Sequence, residues 1–281
     1  MKIGFYTSTL GDRPIAEVIQ FAVDERFDAI EIDIRSHIPS PQDVGPVVEA
    51  ARKADLHVSS LTLFGNQLEP DAAVRAALRQ NTRDYLLAAA EAGVPDFVLF
   101  PGRNPTVPEE ENYADFAGFA QWLLDETKGS PIRVLMENWP GPNKDFIAIT
   151  PAGWRRLFAL VPDPRLGLEF DPSHLVWQGI DPLAARAEFA NRIGILHGKD
   201  TFIDEEAVQS GGYFVNGWWR YALPGRGLVN WRDLISALRR DGFDGVISIE
   251  HEDRDFGWPK GDLGARLDGH RQAAKYLRAS L

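Results

Sequence analysis

Eight short β-rich runs recur along this chain, and their regular alternation with longer amphipathic stretches narrows the folds open to it more than any other feature. The runs are Ile3–Thr7, Ala29–Ile34, His57–Leu63, Phe97–Pro101, Ile132–Glu137, Leu166–Asp171, Ile193–Lys199 and Val246–Glu250. Helical patterns are clearest over Ile15–Asp24, Ala72–Ala92, Trp231–Arg240 and Ala265–Leu277. Strands that alternate with helices pair in parallel, because a parallel neighbour is reached only by a crossover. Eight such units close on themselves, so the expected fold is a (β/α)8 TIM barrel, with residues 1–281 as one domain.

Within Ala29–Ile34, Ile30, Ile32 and Ile34 alternate with Glu31, Asp33 and Arg35. A period of two sends the isoleucines out to the helices and the polar set inward, where Glu31 and Asp33 would line the cavity. EAGVPD and RDGFDG, each just before a strand, read as helix ends closed by glycine. The connection from Thr201 to Asn230, between the seventh and eighth strands, contains QSGGYFVNGWWRYALPGRG and shows no clear amphipathic helix. It is expected to be a long loop at the face where barrel active sites sit.

Four strands end in metal-ligand residue types: VLMENW gives Glu137, GLEFDPSH gives Asp171, GILHGKD gives His197 and ISIEHED gives Glu250. A carboxylate closing an apolar strand is costly without a partner, and four such groups at one end of a barrel invite a shared one. Two Glu, one Asp and one His form a mixed oxygen and nitrogen set suited to Mn²⁺, Mg²⁺ or Co²⁺, with Zn²⁺ also acceptable. His174, three residues after Asp171, is expected on the following loop, placed to hydrogen-bond a substrate oxygen. Lys199 faces the same way as His197; it either stabilises developing negative charge or pairs with a nearby carboxylate. Asp200 points the other way, as a supporting partner. His251 faces outward in a structural position, and Glu252 returns to the inner face. Trp218, Trp219, Arg220 and Tyr221 would wall a pocket, with Trp219 and Arg220 as substrate contacts, or anchor the loop or a subunit contact.

The chain contains no cysteine, which removes thiolate ligands and thiol nucleophiles and fits a reducing, cytoplasmic setting. Its formal charge of -11 argues against nucleic acid and anionic lipid as partners. No run approaches the roughly 18 apolar residues of a membrane span, and the opening MKIGFYTST is too interrupted for a signal peptide.

With this quartet and D-P-S-H in place, the chain resembles the xylose isomerase-like TIM-barrel superfamily, and within it the sugar phosphate isomerase/epimerase group. The resemblance runs from the KIGFYTST strand to SIEHED. It implies one divalent ion, Mn²⁺ foremost, held by Glu137, Asp171, His197 and Glu250, with His174 contacting substrate hydroxyls. Where ketose 3-epimerases carry an arginine soon after the metal-binding histidine, HGKDTFID offers Lys199, and the segment before Glu250 is longer than theirs. The implied activity is isomerisation or epimerisation of a ketose or keto-sugar through an enediolate, with Glu137 and Glu250 exchanging the proton and His174 and Lys199 orienting oxygens. The alternative is a lyase of the same superfamily: a C-glycoside deglycosidase on a 3-keto-glycoside, or an inosose-type dehydratase. The implied partners are a small-molecule sugar and a homo-oligomer, or a small accessory subunit in the C-glycoside case. Endonuclease IV-type nucleases share the barrel, but six histidines and the acidic charge argue against that activity.

Overall fold

In the computed structural model, which describes residues 1–281, eight parallel strands close into a barrel. In chain order the strands are β1 (Lys2–Tyr6), β2 (Ala29–Asp33), β3 (His57–Thr62), β4 (Asp96–Leu99), β5 (Arg133–Glu137), β6 (Leu166–Phe170), β7 (Ile193–His197), β8 (Asp200–Ile203), β9 (Trp219–Ala222) and β10 (Val246–Ile249). β10 closes the barrel between β7 and β1, whereas β8 and β9 form a separate antiparallel pair. All eight expected runs are strands, with ends trimmed by one or more residues. Ile34 leaves β2 to open a short helix, Ile34–His37.

Helices over Ile15–Asp24, Val44–Lys53, Ala72–Glu91, Glu109–Glu126, Pro151–Leu160, Pro182–Phe189 and Trp231–Arg240 return the chain from each barrel strand to the next, and Leu263–Ser280 follows the last strand and packs on β1 and β10. Gly93 (φ +69°) and Gly242 (φ +89°) take the left-handed conformation where the sequence expects helix ends. Side chains directed outward from the strands, such as Ile30, Ile32, Phe97 and Phe170, join the helices in one large core. The barrel interior is divided. Val98, Leu135 and Ile195 form a small apolar cluster, while Glu31, Ser60, Thr62, Glu169 and Ser248 are buried polar groups on inward-facing strand positions.

The segment between β7 and β10 differs from the expected long loop. It is an ordered excursion: β8, a short helix Glu205–Gly211 and β9, which pairs Thr201 with Tyr221 and Ile203 with Trp219. Asp200 fastens it. Its buried carboxylate accepts from the backbone N–H groups of Thr201 (2.8 Å), Val229 (2.9 Å) and Gly225 (3.0 Å), and from Trp231 Nε1 (3.1 Å). Asp200 is therefore the anchor of this hairpin and its exit loop, not a supporting partner of the strand-end quartet. No helix is long and apolar enough to cross a membrane.

Candidate metal centre

The four strand-end residues converge. Glu137, Asp171, His197 and Glu250 each offer one ligand atom, and these atoms lie within 4.8 Å of one another, all on buried residues. His197 Nδ1 is 3.1 Å from Glu250 Oε2, 3.2 Å from Glu137 Oε1 and 3.6 Å from Asp171 Oδ2. Asp171 Oδ2 is met only by the cationic and imidazole groups of Lys199 and His174, and His197 Nδ1 has no hydrogen-bond partner. Buried polar atoms are rarely left so. Donors that face a common point rather than one another suit a divalent cation, and the mixed oxygen and nitrogen set matches its chemistry.

Neighbouring residues set each donor's angle. Asp171 Oδ1 accepts from Ser173 N (2.7 Å), which makes Asp171 the N-cap of a short helix, Pro172–Val176. The Asn138 side chain clamps the Asp171 backbone from both sides, at 2.9 Å each. The opposite edge of the His197 ring faces two deeper carboxylates: Nε2 is 3.3 Å from Glu31 Oε2 and 3.2 Å from Glu169 Oε1. A carboxylate behind a ligating imidazole fixes the ring and leaves the other nitrogen free to bind.

The electrostatics are strongly coupled. Burial pushes the His197 imidazole down, but Glu169, Glu250 and Glu31 outweigh it and hold the ring well above its ordinary range. Burial pushes Asp171 up, yet His174 and Lys199 bring it well below the usual carboxylate range. Glu250 likewise falls to about 2, with Lys199 and His197 outweighing its burial. Lys199 Nζ lies 3.0 Å from Asp171 Oδ2 and 3.1 Å from Glu252 Oε2, and it also pairs with Glu250. Of the two roles the sequence leaves open for Lys199, the structure realises the pairing with carboxylates.

His174 is on the Pro172–Val176 helix rather than on a loop, because Asp171 caps that helix and Pro172 starts it. Its Nε2 is 3.2 Å from both Glu137 Oε1 and Asp171 Oδ2. The Tyr221 hydroxyl lies 2.8 Å from its Nδ1. With Nε2 facing two carboxylates, the favourable neutral tautomer carries its proton on Nε2, and the Tyr221 O–H then donates to Nδ1.

A cavity of about 560 Å³ opens over this centre. Glu137, Lys199, Glu250 and Glu252 line one part, and Tyr6, Arg35, Phe64, Phe100, Trp139 and Trp258 are among the residues lining the rest. Phe64 and Phe100 stack in parallel with centroids 3.7 Å apart, and Trp139 packs on Phe100 at 4.8 Å. Sequence reasoning passes over this aromatic wall, although LTLF, VLF and ENW each place an aromatic residue at or just beyond a strand end. It also passes over Glu169, Tyr6 and Asn138.

The remaining sequence-derived candidates separate by place. Trp219 and Arg220 line a neighbouring cavity rather than the space over the quartet. Trp219 stacks on Trp177 (4.7 Å, 7°), and Arg220 reaches Asp253 (3.4 Å) and Asp255 (3.1 Å). Trp218 is buried. Asp33 holds Ser36 and Arg35 at the rim. Glu252 lines both cavities. His251 is structural: it accepts from Asp253 N, contacts the Phe256 carbonyl, and burial lowers it to about 4.

Comparison with known proteins agrees with this architecture. The chain is 24% identical over 296 residues to the uncharacterised protein YfiH of Bacillus subtilis (strain 168), covering 90% of this chain and 93% of that one. A D-psicose 3-epimerase crystallised in the presence of D-fructose superposes with a TM-score of 0.77 at 18% identity, covering 100% of this chain and 99% of the other. The IolI protein with a bound zinc atom gives 0.73 at 16% identity, covering 100% and 99%. A family model described as xylose isomerase-like TIM barrel matches residues 19–280, and the chain belongs to that family.

Proposed function

We propose that this chain is a divalent-metal-dependent sugar isomerase or epimerase that acts on a ketose or keto-sugar through an enediolate. The observation that carries the reading is the convergence of four buried donors, with His197 Nδ1 left without a hydrogen bond. Glu137, Asp171, His197 and Glu250 would hold the ion, Mn²⁺ by preference. The zinc-bound IolI and the epimerase crystallised in the presence of D-fructose, both alike in fold, support this. When bound, the ion supplies Lewis acidity toward the substrate's carbonyl oxygen and adjacent hydroxyl.

The chain's own residues do the rest. Glu137 and Glu250 both line the cavity, so one can take the proton from the carbon beside the carbonyl and the other return it. The Lys199 ammonium, which lines the cavity, donates toward oxygen atoms that gain negative charge, while the His174 Nε2–H holds Glu137 and Asp171 in place. The aromatic wall of Phe64, Phe100 and Trp139 packs the C–H face of the sugar and keeps water from that side.

A second reading, elimination from a 3-keto-glycoside or inosose-type substrate, is favoured by Glu252. Burial raises its carboxyl to about 7, against the pull of Lys199 and helped by the charge on Glu250, and the group lines the cavity wall. A protonated carboxyl there would deliver that proton to a leaving group β to the carbonyl, while the enolate electrons expel the group. The test is metal analysis of the purified protein, followed by reconstitution with Mn²⁺ and assay on a panel of ketoses and 3-keto-glucosides. Mass spectrometry separates an isomer of unchanged formula from an elimination product. Glu137→Gln and Glu250→Gln should each abolish turnover while the far-UV spectrum is preserved; near-normal rates in either variant defeat the proton-transfer roles.

A further inference from the structure

We infer that the site binds a substrate of two sugar rings, with the second ring seated in a separate chamber built by the β8–β9 hairpin and the loop after β10. The inference rests on the reading of the neighbouring centre as a keto-sugar site. A cavity of about 550 Å³ lies beside the one over the quartet, and the two share the side chains of Tyr221, Glu252 and Trp258. Each alone is inside the range of roughly 300–1,000 Å³ typical of small-ligand sites. One ring poised at Glu137 and Glu250 therefore leaves the second chamber vacant, and a group linked to that ring reaches it past Glu252.

The lining of the chamber indicates what that group is. Besides the shared residues it consists of Asn216, Gly217, Trp219, Arg220 and Arg254. Trp219 and Trp258 are half-buried rings, and Trp177 already covers one face of Trp219. Indole faces of this kind pack the C–H face of a pyranose, because the ring hydrogens carry partial positive charge and the π face negative charge. Asn216, Arg220 and Arg254 supply planar donors, and Asn216 also an acceptor, of the kind that hydrogen-bond hydroxyl groups. Arg220 is already held by Asp253 and Asp255, which fixes its plane, whereas Arg254 makes no ion pair and is exposed. A purely apolar appendage would strand these donors against hydrocarbon, which is costly. A second sugar satisfies both the rings and the donors.

Arg220, Tyr221 and Trp219 are all placed by β9, and β9 is held by Asp200 through the hairpin. The insertion between the seventh and eighth barrel strands thereby becomes a specificity element. Tyr221 belongs to both halves: its hydroxyl holds His174 at the reacting end, and its side chain forms part of the partition between the chambers.

The test uses the full chain loaded with Mn²⁺ and isothermal titration with D-fructose and four keto-disaccharides: turanose, leucrose, isomaltulose and lactulose. At least one disaccharide should bind at least about tenfold more tightly than D-fructose. Arg254→Ala should remove most of that advantage while D-fructose affinity changes less than about twofold, since hydrogen bonds to charged groups are worth this much. Trp258→Ala should lower disaccharide affinity further. No disaccharide binding more tightly than D-fructose overturns the inference, as does an equal weakening of both sugars in the two variants. Titration of Mn²⁺ into the same samples separates the two readings. Metal uptake without a disaccharide preference removes only the second subsite, whereas a disaccharide preference without metal uptake removes the metal-dependent function and leaves the subsite standing.

Discussion

Replacing Asp200 with alanine should cost much of the stability of the hairpin side of the barrel, and the amount follows from its bonds. The carboxylate satisfies four N–H donors, those of Thr201, Val229, Gly225 and Trp231 Nε1. Gly225 is exposed, so water can replace the lost acceptor there. The other three donors belong to buried residues, Thr201, Val229 and Trp231. At roughly 1–1.5 kcal/mol for each donor left unpaired, the loss comes to about 3–5 kcal/mol. For a chain of 281 residues that corresponds to a fall in Tm of about 5–9 °C. Asp200→Asn should lie near halfway. Its remaining oxygen can serve Thr201 and Val229, which share Oδ1, but its amide would confront Gly225 and Trp231, which share Oδ2. Urea unfolding followed by tryptophan fluorescence and by far-UV signal gives both values, with m unchanged if only stability moves. A loss below about 1 kcal/mol for Asp200→Ala would show that the carboxylate is not what fastens the hairpin, and the reasoning from bond inventory would fail.

Three further outcomes can be checked. Tyr221→Phe should release the His174 ring from its Nε2–H tautomer, seen in the ¹⁵N shifts of the Mg²⁺-loaded protein, and lower kcat/KM about tenfold; unchanged shifts would exclude the positioning role. Stability should fall as pH drops from 6.5 to about 4: His251 is held near 4 in the fold against 6.5 unfolded, so in that window the unfolded chain takes up a proton that the folded chain refuses. The buried His270, pushed well below its usual range by burial, acts in the same direction. The His251 share amounts to at most about 3 kcal/mol, and His251→Gln should flatten the slope of stability against pH by close to one proton. Adding Mn²⁺ at about a hundred times its Kd to chelator-treated protein should raise stability by about 2.7 kcal/mol, and Asp171→Asn should erase that gain; a Tm that ignores the metal would refute the ligand set.

Much of this was legible in the sequence for one physical reason: barrel strands repeat a local pattern. Ile30 and Ile32 against Glu31 reveal the two faces of β2 without any knowledge of its neighbours. The positions of Glu137, Asp171, His197 and Glu250 at strand ends follow from the parallel architecture, because every strand end then lies on one face. Contacts set by tertiary packing left no such mark. β8 and β9 have four residues each and are joined by a helix-bearing segment rather than a tight turn, so DTFI and WRYA carry no hairpin signal. The bond between Tyr221 and His174 spans 47 positions and depends on that hairpin. Glu169 reads as a lone acid inside GLEF, and only the closed barrel sets it against Glu31 and His197. His174 was legible as lying near Asp171 but not as helical, since the cap that starts its helix is Asp171 itself.

The position of β10 between β7 and β1 bears on synthesis. While the chain is still emerging from the ribosome, the first seven barrel strands can pair only as an open sheet, with the rims of β1 and β7 bare. The strand that seals those rims is the one that brings in Glu250, so translation must pass that point before the four-donor cluster can assemble. A nascent chain stalled earlier is sticky and lacks the fourth donor.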